Sequence, residues 1–522
     1  MLNLKVVADL LGVTGPSSWE DLSVFKVEFD SRKVAQGDLF VCVPGFKVDG
    51  HDFAAQVVAQ GAVALVVERQ LQDVSVPQLI VPNARKALAQ VAALASGYPA
   101  QSLRLVGITG TNGKTSTAHF VEAVLSGAGR VPGVLGTIHT KIAGKPLPTT
   151  HTTPESLVLQ RLFRDMREAG CDSVVMEVSS HALELERVHG VPFDVAVFTN
   201  LSHDHLDFHK DMESYFQAKR KLFTGLRYIK GRVAPFAVIN GDDPYGARLL
   251  KDLKVPYISY GQGHHCHIRA TELHMDSNGV SFNVETPIGG RRVDLSMSGL
   301  FTVYNALAAI GVGLAVKADF EQILLAVESV GSVSGRFEPV REGQDFSVLV
   351  DYAHTPDGLE KLLISAREIT KGKLLTVFGC GGDRDANKRP VMGEIAGRLS
   401  DRVILTSDNP RSESPLEILR QIEAGMTSSM ALVETEADRA QAIARAIALA
   451  EPGDTVVIAG KGHETYQILG DRTIDFDDRE VARIALRGRM FRGKPQLKTH
   501  ALSWTEKRRP AYDPAVATAG EH

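Results

Sequence analysis

The sequence predicts an α/β protein of three units: a small N-terminal α/β unit, a central parallel-sheet unit of the P-loop ATPase kind, and a C-terminal Rossmann-like unit. Three observations carry that prediction. Residues 107–117 read GITGTNGKTST; an apolar run at 103–108 precedes the glycines, and Phe120, Val121, Val124 and Leu125 follow at helical spacing. Glycines therefore fall at a strand-to-helix turn, where polyphosphates bind. Beyond residue 333, apolar runs at 346–350, 374–378, 403–406 and 455–459 alternate with helical patterns near 359–369, 390–399, 415–426 and 437–450, as a second parallel sheet requires. Gly97-Tyr98-Pro99 and the Gly/Ser stretch at 331–335 punctuate the chain. The expected units are 1–99, 100–332 and 333–490, with 491–522 as a basic, loosely ordered tail.

The totals fit this division. A chain of 522 residues is long enough for two to four cores, and 44% hydrophobic with 23% charged residues is ordinary globular composition. Lys5 and Asp9 interrupt the first apolar residues and no apolar stretch reaches spanning length, so a cytoplasmic protein without membrane insertion is expected. A net charge of −4 gives no overall footprint for nucleic acid. The arginines and lysines from Arg487 to Arg509 are assigned to the tail. Cys42, Cys171, Cys266 and Cys380 lack paired spacing, which fits a reducing compartment and argues against a structural zinc site. The run His264-His265-Cys266-His267 is read as a turn, because no second ligand pair lies at finger-like distance.

In the first unit, Val6, Val7, Leu10 and Leu11 form a short helical pattern. Residues 39–43 are an unbroken apolar run between Gly37-Asp38 and Pro44-Gly45, hence a strand buried on both faces. A helix over 53–60 and a strand over 62–67 follow.

In the phosphate loop, Gly110 and Gly113 let backbone N–H groups close around phosphate oxygens. Lys114 adds charge, and the Thr115 hydroxyl can hold magnesium at the helix start. The spacing departs from the strict pattern, which needs glycine where Ile108 stands. Strands over 173–178 and 195–199 end in polar groups, and Glu177 stands where the acidic magnesium partner of such a loop sits, or is simply a charged strand end. HDHLDFH at 203–209 suggests magnesium with one imidazole, His205 being the chosen ligand, against a solvated polar loop. On the helix expected over 212–223, Tyr215, Lys219, Leu222 and Phe223 share one face. Lys219 either snorkels outward or is desolvated enough to react. A hairpin region follows over 268–298, and Asn305 is expected to open an alanine-rich helix.

In the third unit each strand leads into polar residues: Asp351 to His354, Gly379 to Arg384, Asp408 to Arg411, and Gly460 to Glu464. Gly379-Cys380-Gly381 fails as a dinucleotide fingerprint because Arg384 replaces its last glycine.

These motifs together resemble the Mur ligases, which build the peptide of bacterial cell-wall precursors. The matching residues are GTNGKTS at 110–116, EVSSHAL at 177–183, HDHLDFH with YFQAK at 215–219, Asn305, GRFE at 335–338 and DYAHTPD at 351–357. They span about residues 20–480 in order. The DNPR loop at 408–411 with GKGHE at 460–464 resembles the members that add meso-diaminopimelate to UDP-N-acetylmuramoyl-L-alanyl-D-glutamate. Physical logic agrees: that amino acid differs from lysine chiefly by a second carboxylate, so a planar bidentate donor such as Arg411 should select it.

The resemblance implies ATP and Mg2+, with ATP converting a substrate carboxylate to an acyl phosphate that an amine then attacks. It places Gly110, Thr111, Asn112, Gly113, Lys114, Thr115, Ser116, Asn305, Arg336 and Asp351 on ATP. Thr115 and Glu177 would lie on one magnesium ion, His205 near a second, and Lys219, carbamylated, would support the metal. Lys114, Lys219, Glu177 and His205 form the expected catalytic set. For the uridine nucleotide it implies Ser31, Phe46, Lys47, Val48, Thr152, Thr153, Ser179 and Arg187. Between the last two this chain has Leu185 where diaminopimelate-adding relatives carry glutamine. For the amino acid it implies Arg384, Asp408, Asn409, Pro410, Arg411, Gly460 and Glu464. A monomer is expected. The rival readings are a lysine-adding Mur ligase, a folylpolyglutamate synthase-like ligase, and a nucleotide-dependent regulatory protein.

Overall fold

The computed structural model describes residues 2–490 apart from 46, 47, 73, 139, 150 and 428. The expected tail at 491–522, and the substrate expectations for Phe46 and Lys47, lie outside the described residues.

Three main sheets form among the described residues, each with its own core. The first is parallel, in the order Val27–Glu28, Leu39–Val41, Ala64–Val67, Gln78–Ile80. Leu39–Val41 is wholly buried, as its unbroken apolar run predicts.

The central sheet has eleven strands. Its middle is parallel, in the order Pro132–Leu135, Ser173–Glu177, Arg104–Thr109, Val195–Phe198, Phe236–Asn240, Tyr257–Gly261, Ile268–Asp276. Antiparallel hairpins extend both edges: Thr140–Ile142 with Lys145–Leu147, and Gly279–Thr286 with Gly289–Leu295. Arg104–Thr109 lies at the centre, so Leu105, Val106 and Ile108 are fully buried. The helix that follows, Lys114–Gly127, packs Phe120, Val121, Val124 and Leu125 into the same core. Asn305 does not open its helix as expected. Leu300–Ala315 begins five residues earlier because Gly299 breaks the chain with a positive φ of 95°, and this sets Asn305 in the second turn, facing the phosphate loop.

The third sheet runs Glu338–Pro339, Ser347–Asp351, Thr455–Ala459, Leu374–Phe378, Arg402–Leu405, Leu432–Thr435, parallel except for the first strand. Leu432–Thr435 has no counterpart among the four expected strands, because it is an edge strand with no fully buried position to mark it. Pro356 at the first helical position and the Thr355 hydroxyl, which accepts from Gly358 N at 3.2 Å, start the helix Pro356–Ile369. The last helix, Asp478–Met490, claims two residues assigned to the tail: Arg487 pairs with Glu342 at 2.9 Å and Arg489 donates to the Ile447 carbonyl. No helix among the described residues is long and apolar enough to cross a membrane.

Candidate functional site

Strand Arg104–Thr109 ends beside Ser173–Glu177 and Val195–Phe198, so the residues after all three meet at one sheet edge. Gly110 and Gly113 have φ of 151° and 84°. A side chain at Gly110 would meet Thr199 Oγ1 at 1.9 Å, and one at Gly113 would meet Asn305 Oδ1 at 2.6 Å. Only glycine fits either place. Asn112 N donates to Asn200 Oδ1 at 3.0 Å, while Thr199 Oγ1 and Asn200 Nδ2 donate to the Asn112 carbonyl at 2.6 and 3.1 Å. Thr199 and Asn200 are thus the clamp of the loop. The polar strand end was visible in sequence, but its partner was not.

Thr111 Oγ1 lies 3.2 Å from the Tyr215 hydroxyl, and Ser116 sits half-buried in the first helical turn. Thr115 Oγ1 donates to Glu177 Oε2 at 3.0 Å. Glu177 is 1% exposed, and its carboxylate also accepts from Thr137 N at 2.8 Å and Thr137 Oγ1 at 3.0 Å. Asn305 Oδ1 accepts from Thr117 Oγ1 at 3.0 Å.

Lys114 Nζ donates to the Gly110 and Thr111 carbonyls at 3.0 and 2.9 Å. Lys219, 1% exposed, donates to the Gly110 carbonyl at 2.9 Å and lies over the Tyr215 ring. It does not snorkel. Burial, and then the Lys114 charge, hold its amine well below the usual lysine range, with Asp204 opposing. Burial likewise lowers Lys114, with Arg336 adding to the shift and Glu177 and Asp204 opposing it.

His205, at a left-handed φ of 53°, packs edge-on to His181 with centroids 4.8 Å apart. Its Nε2 lies 3.4 Å from Asp204 Oδ2. His181, which sequence reasoning gave no role, is pushed down to about 3 by burial first and then by its neighbours His205 and His209. It stays neutral, as a ring among imidazoles should.

The third sheet reaches this site directly. Arg336 Nη2 donates to Thr115 Oγ1 at 3.4 Å and its guanidinium lies over the Tyr352 ring. Tyr352 packs on His463 with centroids 4.9 Å apart, one residue before Glu464. Asp351 accepts from Phe337 N at 2.7 Å and Ala353 N at 2.8 Å, fixing the loop that carries Arg336. Asp357 Oδ2 accepts from Asn112 Nδ2 and Ser202 Oγ, both at 2.6 Å. DYAHTPD was legible as a motif, but this bond to the phosphate loop was not.

Across the sheet, Asn409 Nδ2 donates to Glu464 Oε2 at 3.0 Å, and the fully buried Lys461 donates to Glu464 Oε2 at 2.8 Å and Asn409 Oδ1 at 3.2 Å. Lys461 was missed by sequence reasoning, although it lies within the GKGHE run. Burial raises the Glu464 carboxyl, with Lys461 opposing and Asp408 adding to the shift. Asp408 and Pro410 are buried, and Gly460 approaches the Asp408 carboxylate too closely for a side chain. Arg411 has φ 53° and donates from Nη1 to the Gly382 carbonyl at 2.7 Å. Arg384 donates to the Asp383 carbonyl at 3.3 Å and is exposed.

The expected uridine-nucleotide residues divide. Thr153 Oγ1 donates to the Glu177 carbonyl at 2.8 Å and accepts from Ser179 N at 3.0 Å, and Thr152 Oγ1 lies 3.0 Å from Thr137 Oγ1. Arg187, 4% exposed, pairs with Glu155 at 2.7 Å and donates to the Thr153 carbonyl at 3.1 Å. These stand together beside Glu177. Ser31 and the exposed Val48 belong to the first sheet's loops, and Leu185 closes the short helix Ser180–Glu184.

A phosphate loop clamped from one sheet and bonded to a second, which also carries the Asn409–Glu464–Lys461 cluster, fits the class of nucleotide-dependent ligases. Residues 24–96 match the model described as Mur ligase family, catalytic domain; 108–313 match the Mur ligase middle domain, and 335–462 the Mur ligase, glutamate ligase domain. The chain belongs to the Mur ligase family. It is 50% identical over 468 residues to a UDP-N-acetylmuramoyl-L-alanyl-D-glutamate–2,6-diaminopimelate ligase of Geobacillus thermodenitrificans (strain NG80-2), spanning 89% of this chain and 95% of that one. A protein of the same name from Thermosynechococcus vestitus is 48% identical over 472 residues, 90% and 94% of the two chains. A solved structure of that name superposes with TM-score 0.67 at 31% identity, covering 93% of this chain and 99% of the other. The folylpolyglutamate synthase of Mycobacterium tuberculosis, at 19% identity and TM-score 0.60 over 79% and 96%, shares the fold.

Proposed function

We propose that this chain is an ATP-dependent ligase that joins meso-diaminopimelate to UDP-N-acetylmuramoyl-L-alanyl-D-glutamate through an acyl phosphate, in the making of cell-wall peptide. The observation that carries the reading is the continuous run of contacts from Thr115 through Arg336 and Tyr352 to His463, which sets the 408–411 and 460–464 loops beside the phosphate loop. In this reading that run joins the place where a carboxyl is phosphorylated to the place where the amine is held.

In this reading the units 1–99, 100–332 and 333–490 bind the uridine nucleotide, ATP and the amino acid respectively. Gly110 to Ser116, Asn305, Arg336 and Asp351 hold ATP. Thr152, Thr153, Ser179 and Arg187 hold the nucleotide substrate with Ser31 and the 46–48 loop. The paired oxygens of Thr115 and Glu177 form a donor set suited to magnesium; His205 and Lys219 would serve a second ion. When bound, magnesium would offset charge on the transferring phosphoryl group. Lys114 leaves the loop carbonyls to meet the phosphates, and its charge stabilises the oxygens that gain charge. The γ-phosphoryl passes to the glutamate carboxylate, the amine attacks the carbonyl carbon, and phosphate leaves as the amide forms. Arg411 pairs with the distal carboxylate of the amino acid and Glu464 with an ammonium group. The proposed setting is cytoplasmic, the chain acting as a monomer.

The test is phosphate release with ATP, magnesium and the uridine substrate, comparing meso-diaminopimelate, L-lysine and no amine. Turnover with diaminopimelate alone, with the tripeptide product, is expected. Turnover with lysine in its place would overturn the role of Arg411, and turnover independent of any amine would overturn the ligase reading.

A further inference from the structure

The run His264-His265-Cys266-His267 lacks a second ligand pair in sequence, but the fold supplies a further donor from elsewhere. Strands Phe236–Asn240 and Tyr257–Gly261 are parallel neighbours with Asn240 opposite Tyr260, so the loops that follow them emerge side by side. Asp242 from the first loop meets His265 and Cys266 from the second. Asp242 Oδ1 lies 3.6 Å from His265 Nε2 and 3.7 Å from Cys266 Sγ, and all three donor atoms fall within 4.8 Å of one another. Ligands around a tetrahedral zinc ion, at about 2.0 Å for N or O and about 2.3 Å for S, stand roughly 3.3–3.6 Å apart.

The donors are also aimed. Asp242 Oδ2 is taken by Gln262 N at 2.6 Å and by the Tyr304 hydroxyl at 2.7 Å, which turns Oδ1 towards the thiol and imidazole. Oδ1 accepts one backbone N–H, from Gly263 at 3.1 Å. His265 Nε2 donates to the Gly241 carbonyl at 3.0 Å, so a cation bound at Nε2 must displace that proton and replace that bond. The other two histidines of the run are engaged elsewhere: His267 Nδ1 meets Ser259 N and Oγ at 3.0 and 2.8 Å, and His264 Nδ1 meets Arg269 at 2.7 Å.

We infer that Asp242, His265 and Cys266 form a further metal site, separate from the magnesium donors, that takes a borderline divalent cation of the zinc type. One carboxylate oxygen, one imidazole and one thiolate suit zinc or cobalt and not magnesium, which prefers oxygen alone. The ion binds by displacing the Cys266 thiol proton into solvent. Through the Tyr304 hydroxyl the site is tied to the helix Leu300–Ala315, one residue before Asn305. Occupancy would brace the loops outboard of the nucleotide.

The test is titration of the purified full-length protein with Co2+ in excess Mg2+, which keeps the oxygen-donor sites filled. One equivalent giving a thiolate-to-cobalt absorption band, displaced by Zn2+ and lost in Cys266→Ser, is expected; Cys42, Cys171 and Cys380 are buried elsewhere. His265→Ala should retain native circular dichroism while weakening Co2+ at least about tenfold. No band in the wild type, a band that survives Cys266→Ser, or unchanged affinity in His265→Ala would each overturn the site.

Discussion

Lys114 and Lys219 donate to one acceptor, the Gly110 carbonyl, at 3.0 and 2.9 Å. Two ammonium groups so held stand within about 6 Å of each other and repel by roughly 3 kcal/mol at an effective dielectric of 20. Burial and the Lys114 charge both disfavour the charged form of Lys219, the more deeply buried of the two. A neutral amine is a nucleophile. Reaction with carbon dioxide would turn a repelled cation into an anion beside Lys114. Lys219→Ala should therefore abolish amine-dependent phosphate release, and added bicarbonate should not restore it. Retained turnover would remove the carbamate from the mechanism.

Among the described residues, Arg411 is held by its backbone and by a carbonyl, with no carboxylate partner shown. Its left-handed φ of 53° is pinned by Gly470 N donating to its carbonyl at 2.9 Å, and its side chain carries a bond to the Gly382 carbonyl. Loss of a charge-assisted bond costs about 1.5–3 kcal/mol. Arg411→Ala should raise KM for diaminopimelate by roughly 10–100-fold while KM for ATP stays near the wild-type value, read by initial rates with each substrate varied. An unchanged KM for the amino acid would take Arg411 out of the pocket.

Much of this was legible in sequence because phosphate loops and strand ends are local. Gly110 to Ser116, Glu177 and the buried strands near 103–108, 173–178 and 195–199 follow from runs of a few residues whose burial or turn geometry admits little else, whereas the strands Pro132–Leu135, Phe236–Asn240 and Tyr257–Gly261 and the order of strands in the sheet did not. Lys219 was legible as a residue on the apolar face, but its full burial depended on the packing of the helix Met212–Thr224 against the phosphate-loop strand. Asp357 and Asn200 escaped because each acts through a partner distant in sequence, and Lys461 because its burial and its bond to Asn409 depend on a distant strand end, although Glu464 lies only three residues on. Asp242 escaped for the same reason: parallel pairing, invisible to spacing, brings it to His265 and Cys266.

In the proposed amino-acid site, Glu464 would confer a pH dependence. Burial holds its carboxyl above the ordinary value of 4.5, against the pull of Lys461, and Asp408 pushes the same way. The folded state thus keeps a proton that the unfolded chain has released. The associated stability is full below the unfolded value and is lost as pH rises through the folded one. Ammonium recognition runs the other way, since it needs the ionised carboxylate. KM for diaminopimelate should fall as pH rises through the acid range, and Glu464→Gln should flatten that limb while leaving KM for ATP unaltered. A limb that keeps its slope in Glu464→Gln belongs to another group.

Behind both pocket loops lies one ion pair. Arg439 and Asp478 are fully buried and bidentate, with both bonds at 2.7 Å. Two of the three remaining guanidinium N–H groups donate to the Ser407 carbonyl at 3.3 Å and the Ala459 carbonyl at 3.0 Å, just before Asp408 and Gly460 of the proposed pocket. Arg439→Met leaves Asp478 charged and unpaired in a dry core, which costs about 3–5 kcal/mol, and should lower Tm by roughly 10 °C for a unit of this size. Arg439→Met with Asp478→Leu removes both charges and should recover most of that loss. The recovered protein should still bind diaminopimelate poorly, because its two loops have lost their carbonyl anchors, with KM for ATP little changed. If the double variant is as unstable as the single one, the cost lies in packing and not in the stranded carboxylate. If it binds the amino acid normally, the pair supports the fold without positioning the site.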